Sequence, residues 1–312
     1  MRPPVSQTAA VTSQEPLAWW LRAPARLPLR LLYVLTAVIT FVLRHVLHYR
    51  VQVARSNLRG CFPQASRAEI ESLLGAYYRH LGQVIAECIK QAGMSADQMR
   101  SHVRITNPEL AHAETSAGRS VLLVAGHLGN WEWQLQCVVV HLGVPIDAAY
   151  KPLHSAGADR ELLKLRSRLG ARMVAAKKLV RAVARGRGSL HGIAIMADQI
   201  PASSGGRQWV SFFGRPTAFY PGPGEIGRMT GYAAFFTSMR RTRRGHYEMT
   251  LHPMAAAGEP LEPEVFTARY AQLLESQIRS APADWMWTHR RWKLAPPAQV
   301  PPAPVPPAQV PQ

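Results

Sequence analysis

The feature that most constrains the fold is an apolar run that ends in a histidine between two glycines. Residues 120–125 read Ser-Val-Leu-Leu-Val-Ala, and residues 126–132 read Gly-His-Leu-Gly-Asn-Trp-Glu. The run has the length and the β-branched content of a buried strand. The glycines favour a tight loop, and Asn130 is a residue type that caps helices, so we expect a helix from Trp131. The sequence therefore predicts a strand–loop–helix unit that holds His127 at a strand end.

The same alternation of strand and helix continues along the chain. Candidate strands cover residues 102–106, 120–125, 146–150, 173–175, 193–197, 233–238 and 247–252, and candidate helices cover 130–142, 158–169, 178–185 and 264–279. This order predicts an α/β fold: a single domain with a mixed, mostly buried sheet flanked by helices. Ahead of it, residues 66–69 have the pattern of a capping box at the start of a helix. In open sheets of this kind functional sites form at strand ends, where His127 lies.

An uncharged apolar segment, residues 31–43, lies near the N-terminus between clusters of arginine. As a helix it would be about 20 Å long, short of the ~30 Å hydrocarbon core of a bilayer. Arginines on both sides oppose the transfer of either end across a membrane, and no small-residue cleavage site follows. The alternatives are a buried helix and an uncleaved helix at the membrane interface, and we favour the interfacial, membrane-associated helix.

The chain is strongly basic, with 37 Lys and Arg against 19 Asp and Glu and a formal net charge of +18. Such a surface attracts nucleic acid, anionic lipid, phosphorylated substrates or an acidic carrier protein. The apolar segment opposes nucleic acid as the partner. Cys61, Cys88 and Cys137 are odd in number and widely spaced, as buried thiols in a reducing compartment are. No metal-binding motif or phosphate loop is present in the sequence.

Four further segments accompany the histidine motif. They are Tyr-Lys-Pro-Leu-His at 150–154, Ala-Asp-Gln at 197–199, an aromatic segment at 209–217, and Asp-Trp-Met-Trp-Thr-His-Arg-Arg-Trp-Lys at 284–293. In this order they resemble the bacterial lipid A biosynthesis acyltransferase family, the late lauroyl and myristoyl transferases. The resemblance runs from the apolar helix, through Asn-Leu-Arg-Gly-Cys-Phe-Pro at 57–63, to Lys293.

The resemblance implies an enzyme at the cytoplasmic face of the inner membrane. Members of the family move an acyl chain from a carrier-protein thioester to a hydroxyl, often on a lipid A precursor. The expected partners are an acyl carrier protein, a membrane lipid acceptor and an anionic membrane surface, without nucleic acid. The expected co-substrate is an acyl-ACP or acyl-CoA thioester, with no cofactor and no metal.

Carried onto this sequence, the resemblance makes His127 the general base and Glu132 its orienting partner. The histidine would deprotonate the acceptor hydroxyl, which attacks the thioester directly, while the carboxylate stabilises the imidazolium. The loop would let His127 fold back onto Glu132. Arg166 is assigned to headgroup or phosphate binding or to charge stabilisation near the thioester, and Asp198 to shaping the site. The residues expected to bind substrate are Asn130, Lys151, Arg166, Asp198 and Arg215.

Three departures from the family pattern leave the acceptor open. Lys151 replaces an arginine, Asp284 replaces a glutamine, and residues 222–227 carry an added acid. The alternatives are an acyltransferase for a lysophospholipid, an aminolipid or another glycolipid, and a non-catalytic basic protein that binds lipid or nucleic acid. We interpret residues 209–217 as an aromatic loop. Gly222 and Gly224 could open a helix toward a phosphate or allow a tight turn between two prolines, and we favour the turn.

The predicted organisation follows from these assignments. It consists of a disordered basic segment over 1–26, a membrane-anchor helix over 27–50, an acyltransferase domain over 51–294 and a disordered Pro-rich tail over 295–312.

Overall fold

The computed structural model describes residues 16–186, 188–201 and 206–296 of the chain. The strands within them are β1 (Val103–Ile105), β2 (Val121–Ala125), β3 (Ile146–Tyr150), β4 (Arg172–Ala175), β5 (Gly192–Met196), β6 (Gln208–Phe212), β7 (Arg215–Phe219), β8 (Ala233–Arg243) and β9 (His246–Ala255). The helices are α1 (Trp19–Ala25), α2 (Leu29–His45), α3 (Val51–Cys61), α4 (Arg67–Gln91), α5 (Ala96–His102), α6 (Glu109–Ser116), α7 (Trp131–Leu142), α8 (Ala156–Ser167), α9 (Leu179–Gly186), α10 (Gly222–Thr230) and α11 (Pro263–Ser280).

Seven strands form one mixed sheet in the order β1-β9-β8-β2-β5-β3-β4. Strand β2 pairs in parallel with β5 on one side and with β8 on the other. Strand β9 runs antiparallel to β8 and parallel to β1. The predicted α/β domain with a mixed sheet is therefore confirmed, and the motif strand β2 lies at its centre.

Apolar layers cover both faces of the sheet, which explains why β2 reads as a continuous apolar run. On one face Trp133 and Cys137 of α7 pack among buried sheet residues. On the other face Leu74 of α4 and Leu274 of α11 belong to the larger core. A strand buried on both faces has no solvent side on which polar residues would alternate.

Local signals located most elements of the sheet and its helices. Each of the seven predicted strands overlaps a strand of the main sheet. The capping box forms, because Ser66 Oγ accepts from Glu69 N while Glu69 Oε2 accepts from Ser66 N. The Asn130 side chain caps α7 by accepting from Trp133 N. Capping is a local interaction, so its sequence pattern was sufficient.

Three segments differ from expectation. The aromatic segment 209–217 forms the β6–β7 hairpin, whose Phe213 and Gly214 have φ values of 54° and 67°. Positive φ at two adjacent residues is the conformation that tight hairpins require, although phenylalanine rarely supplies it. Residues 222–224 begin α10, because proline is accommodated in the first turn of a helix.

The third difference lies near the N-terminus. Within the segment predicted to be disordered, Trp19–Ala25 is helical. Residues 1–15 and 297–312 lie outside the described residues.

Helix α2 buries polar side chains and exposes apolar ones. Its buried residues are Leu32, Thr36 and Thr40. The two threonine hydroxyls donate to carbonyls of their own helix, Thr36 to Leu32 O at 2.9 Å and Thr40 to Thr36 O at 3.0 Å. The opposite faces expose the side chains of Leu31, Val34, Leu35, Val38, Ile39, Phe41 and Val42. This inverts the usual distribution for a helix that packs on a core in water.

Taken one at a time, the described helices lack the length and apolar composition of a membrane span. Helices α1 and α2, which meet at a bend of 119°, satisfy both criteria only as a pair.

Candidate active site

The loop after β2 is clamped on both sides. His127 N donates to Asp198 Oδ2 at 2.8 Å. On the other side Met286 N donates to His127 O at 3.1 Å, and Gly129 N donates to Asp284 O at 3.0 Å. At the first loop residue, Gly126, a Cβ would lie 2.6 Å from Leu274 Cδ1, so any side chain there would require Leu274 to shift. The backbone around His127 is therefore held in one geometry.

The His127 ring is oriented by Asp198. Its Nδ1 lies 2.6 Å from Asp198 Oδ1, and Trp285 Nε1 donates to Asp198 Oδ2 at 2.8 Å. With the carboxylate ionised, Nδ1 carries the proton and the Nε2 lone pair accepts from the Gln199 amide at 3.3 Å. An imidazole held in this way could take a proton from a hydroxyl that replaced the Gln199 amide at Nε2.

The environment of Asp198 keeps it ionised. Burial by itself would raise the pKa of this carboxyl, since the side chain is only 3% exposed. The charge of the His127 ring and the hydrogen bonds from His127 and Trp285 outweigh burial and lower the pKa of Asp198 to about 2. An ionised partner fixes the tautomer of the ring and stabilises the imidazolium that forms during proton transfer.

Glu132 does not occupy the place predicted for it beside His127. It accepts two hydrogen bonds from Arg166, from Nε to Oε2 at 2.9 Å and from Nη2 to Oε1 at 2.5 Å. Burial alone would lower the pKa of Arg166, but the bonds to Glu132 raise it. The positions of the two residues on their helices explain why Glu132 contacts Arg166 and not His127. Glu132 lies in the first turn of α7, and Arg166 reaches it from the last turn of α8. The structure thus pairs His127 with Asp198 and Glu132 with Arg166.

An apolar cavity of about 500 Å³ connects the two pairs. Its wall includes His127, Glu132, Lys151, His154, Arg166 and Gln199 among the polar residues and Leu123, Leu135, Val138, Ala148, Leu162, Met173, Leu179, Ile195 and Ile226 among the apolar ones. Trp131, also in the wall, packs edge-on against the His127 ring with centroids 5.5 Å apart. A concave apolar site with a few convergent polar groups is the usual form of a small-molecule site.

Two of the predicted substrate-binding residues lie away from this cavity. Asn130 is completely buried, and its amide is engaged by Trp133 N and by Glu87 Oε2. Arg215 lies on the β6–β7 hairpin, with its guanidinium 4.6 Å from the centroid of the Trp292 ring. Asn130 holds the end of the loop through its hydrogen bonds to Trp133 and Glu87, and Arg215 packs against the C-terminal segment. Lys151 and Arg166 line the cavity, and Asp198 contacts His127 from behind.

The C-terminal segment after α11 supports the His127 loop and Asp198 from outside the cavity. Asn57 Nδ2 donates to Trp287 O and to His289 O, both at 2.8 Å, and Tyr77 OH lies 2.8 Å from Thr288 Oγ1. These contacts from α3 and α4 hold the segment that presents Trp285 to Asp198. The sequence places Trp285 in the motif at 284–293 but gives no sign of its contact with Asp198.

Two basic side chains of the same segment lie near Asp198, the half-buried His289 and the buried Arg291. Burial lowers the pKa of His289 to about 4, so this ring is neutral at pH 7. Burial also lowers the pKa of Arg291 to about 10, against the opposing effect of Asp198, so the guanidinium remains charged. Arg291 is 1% exposed and lies 4.2 Å from the Phe219 ring centroid; within the described residues its nitrogens have no hydrogen-bond partner. A buried cation here favours the ionised form of Asp198.

Comparison with known proteins identifies the family of this chain. The model of the bacterial lipid A biosynthesis acyltransferase family matches residues 17–294, so the chain belongs to that family and is an acyltransferase. The resemblance predicted from the motifs is thereby confirmed.

Three curated relatives match most of the chain. The lipid A biosynthesis palmitoleoyltransferase of Escherichia coli (strain K12) and a lipid A biosynthesis acyltransferase of Shigella flexneri are each 25% identical over 275 residues, covering 87% of this chain and 88% of theirs. A lipid A biosynthesis acyltransferase of Haemophilus influenzae is 23% identical over 275 residues, covering 84% of this chain and 82% of its own.

Proposed function

We propose that this protein transfers a fatty acyl chain from an acyl-carrier-protein thioester to a hydroxyl of a glycolipid acceptor, a lipid A precursor. The observation that carries the proposal is the placement of His127: its Nδ1 is fixed by Asp198, and the ring lines an apolar cavity. The printed names of the relatives support lipid A as the acceptor class. The apolar wall is suited to the donor chain.

The proposed reaction needs one base and no acyl-enzyme. His127 Nε2 takes the proton of the acceptor hydroxyl as its oxygen attacks the thioester carbonyl. The tetrahedral intermediate collapses with cleavage of the C–S bond, and the imidazolium returns its proton to the leaving thiolate. Asp198 holds Nδ1 throughout and stabilises the transient positive charge.

The ion pair of Glu132 and Arg166 holds one hydrogen-bond donor of the guanidinium in the same cavity. Glu132 accepts from Nε and Nη2 of Arg166, and within the described residues no acceptor is found for Nη1. We assign this free donor to a phosphate of the acceptor or to the oxyanion of the intermediate, because guanidinium groups bind such oxygens strongly. Lys151, which is exposed, is placed to contact the same anionic groups.

The N-terminal helices are proposed to lie at the cytoplasmic face of the inner membrane. The apolar side chains that α2 exposes, together with Trp19 and Trp20 of α1, would otherwise face water. Burying them in the interface is favourable at about 25 cal/mol per Å² of apolar surface, and the flanking arginines attract anionic headgroups.

The test is acyl transfer by the purified full-length chain, followed by mass spectrometry of the lipid product. With acyl-ACP and a lipid A precursor, the wild type should add the mass of one acyl chain. His127→Ala should add none, whereas His112→Ala, which removes an exposed histidine, should behave as wild type. Turnover retained in His127→Ala would refute the base. Acylation of a lysophospholipid but not of the lipid A precursor would refute the acceptor.

A further inference from the structure

A groove separate from the catalytic cavity lies between α2, α4 and the turn that joins β8 to β9. Its volume is about 1130 Å³, and neither His127 nor Arg166 lines it. Helix α2 contributes the stripe Val34, Ala37, Val38 and Phe41. These residues are three and four apart, so they form one face of the helix. The valines and the phenylalanine are 60–61% exposed, and the groove therefore presents an apolar strip that nothing in the described chain covers.

Close packing of α2 on α4 makes the groove and sets its direction. A Cβ at Gly82 would lie 2.8 Å from Thr40 Oγ1, and one at Gly75 would lie 2.7 Å from Arg44 Nη1. Rising residue numbers on α2 thus meet falling numbers on α4, so the helices are antiparallel. The strip from Val34 to Phe41 is about 10 Å long.

Arginines line both ends of the groove, but their charges are not equally compensated. At one end Arg44 Nη2 lies 4.0 Å from Glu71 Oε2. At the other end Arg30 and Arg244 are exposed, and the described part of the chain provides neither with a carboxylate partner. The Arg244 guanidinium lies 5.9 Å from the ring centroid of Tyr33. Arg79, which is exposed and lines the groove beside Arg44, adds positive charge at that end. Both ends are therefore basic, and at the start of α2 no carboxylate of the described residues compensates the charge.

An exposed apolar strip that ends at two unpaired arginines matches an amphiphile with an anionic head. Guanidinium groups bind phosphate oxygens strongly, and a hydrocarbon chain laid on the strip removes apolar surface from water. Nucleic acid would leave the strip uncovered, and a purely apolar partner would leave the arginines unused.

We propose that this groove binds one membrane phospholipid with an anionic headgroup, its phosphate on Arg30 and Arg244 and one acyl chain along the α2 strip. The site is separate from the catalytic cavity and does not depend on the chemistry of His127. It would fix the enzyme on an acidic bilayer in a single orientation.

Native mass spectrometry of the full-length chain, released from mixed vesicles of phosphatidylglycerol and phosphatidylcholine, tests the proposal. The wild type should retain one phosphatidylglycerol and at least tenfold less phosphatidylcholine. Ala37→Trp, which fills the groove, should lose the bound lipid. Leu35→Trp, on a neighbouring exposed face outside the groove, should keep it. Arg244→Ala should abolish the preference between the two lipids, and its exposed position makes misfolding a negligible concern.

Several results would overturn the proposal. Equal retention of the two lipids by the wild type would show that the groove does not select charge. Wild-type retention in Ala37→Trp, or a loss in Leu35→Trp equal to that in Ala37→Trp, would show that the lipid does not occupy the groove. If circular dichroism shows that Ala37→Trp does not fold, the lipid preference of Arg244→Ala tests the proposal, and an unchanged preference in Arg244→Ala would overturn it. Acyl transfer measured in parallel separates a failure of this site from a failure of the catalytic assignment.

Discussion

At the scale of single residues, the central relation is the hydrogen bond between His127 Nδ1 and Asp198 Oδ1. Asp198→Asn would place an amide against Nδ1 and favour the wrong tautomer of the ring. The analogous change in a catalytic triad costs about 10⁴ in rate, so we expect kcat to fall by roughly 10³–10⁴. Asp147→Asn, which removes a surface partner of Arg172, is the matched control and should retain wild-type kcat. Similar rates for the two variants would contradict the role of Asp198.

The same carboxylate predicts a pH dependence of stability. Its pKa is about 2 in the folded protein and about 3.9 in an unfolded chain. A lowered pKa in the folded state stabilises the fold above pH 4 by roughly 2–3 kcal/mol. The contribution is lost as the pH falls through 4 towards 2. Urea unfolding at a series of pH values should therefore show that the difference in unfolding free energy between the wild type and Asp198→Asn becomes smaller below pH 4. A difference that does not change with pH would contradict the lowered pKa of Asp198.

Glu132 and Arg166 should behave as one unit. Removing either partner leaves the other as a buried, unpaired charge, which costs about 3–5 kcal/mol in the folded state; partial exposure of Arg166 places the expectation at the lower end. Glu132→Gln and Arg166→Met should each lower stability and activity, and the double variant should be no worse than either single one. A double-mutant cycle in unfolding free energy measures the coupling. Strict additivity would contradict the pairing.

At the scale of elements, the position of Asp198 follows from the register of two strands. In the β2–β5 pairing Ala125 is opposite Met196. His127 and Asp198 each lie two residues further on, so they leave the same edge of the sheet side by side. The sequence showed that both residues follow apolar strands. It did not show that these strands are neighbours, because α7, β3, α8, β4 and α9 lie between them along the chain. The sequence favours Glu132 as the contact of His127 because it is closer in sequence, and that prediction is wrong.

Local sequence patterns predicted the helix caps correctly. They failed for segments whose conformation depends on contacts with distant parts of the chain. The capping residues Ser66 and Asn130 act within one helix turn, and both caps are present. The β6–β7 hairpin carries no turn signal of the Asn-Gly kind; its Phe213 is held at positive φ, with its amide donating to Glu275 of α11. Similarly, nothing local to Trp285 indicates that its indole reaches Asp198, since α11 and the sheet bring them together.

The C-terminal segment is expected to support catalysis through one indole N–H. Trp285→Phe keeps the ring packing and removes the donor to Asp198 Oδ2. We expect a loss of about 1 kcal/mol in stability and a fall of roughly tenfold in kcat, with KM little changed. Trp292→Phe, which removes a bond to Thr217 Oγ1 and none to Asp198, is the control. If both variants lose kcat equally, the effect comes from packing, and the role assigned to Trp285 is wrong.

At the scale of the whole molecule, the inverted polarity of α2 separates a catalytic body from a surface suited to a bilayer. Thr36 and Thr40 face the protein, while Ile39 is 49% exposed on the outer side. If α2 lies at the membrane as proposed, a carboxylate introduced there would enter the interface close to anionic headgroups. Ile39→Glu should therefore weaken binding to vesicles containing phosphatidylglycerol by at least tenfold, because a buried isoleucine contributes about 1.5–3 kcal/mol. Ala113→Glu, an equal change of charge on the exposed face of α6, should bind as the wild type does. Vesicle sedimentation measures the binding of the two variants. If both variants bind as tightly as the wild type, the basic surface alone holds the protein on the membrane. If both variants bind more weakly by the same factor, net charge and not the exposed face of α2 determines binding.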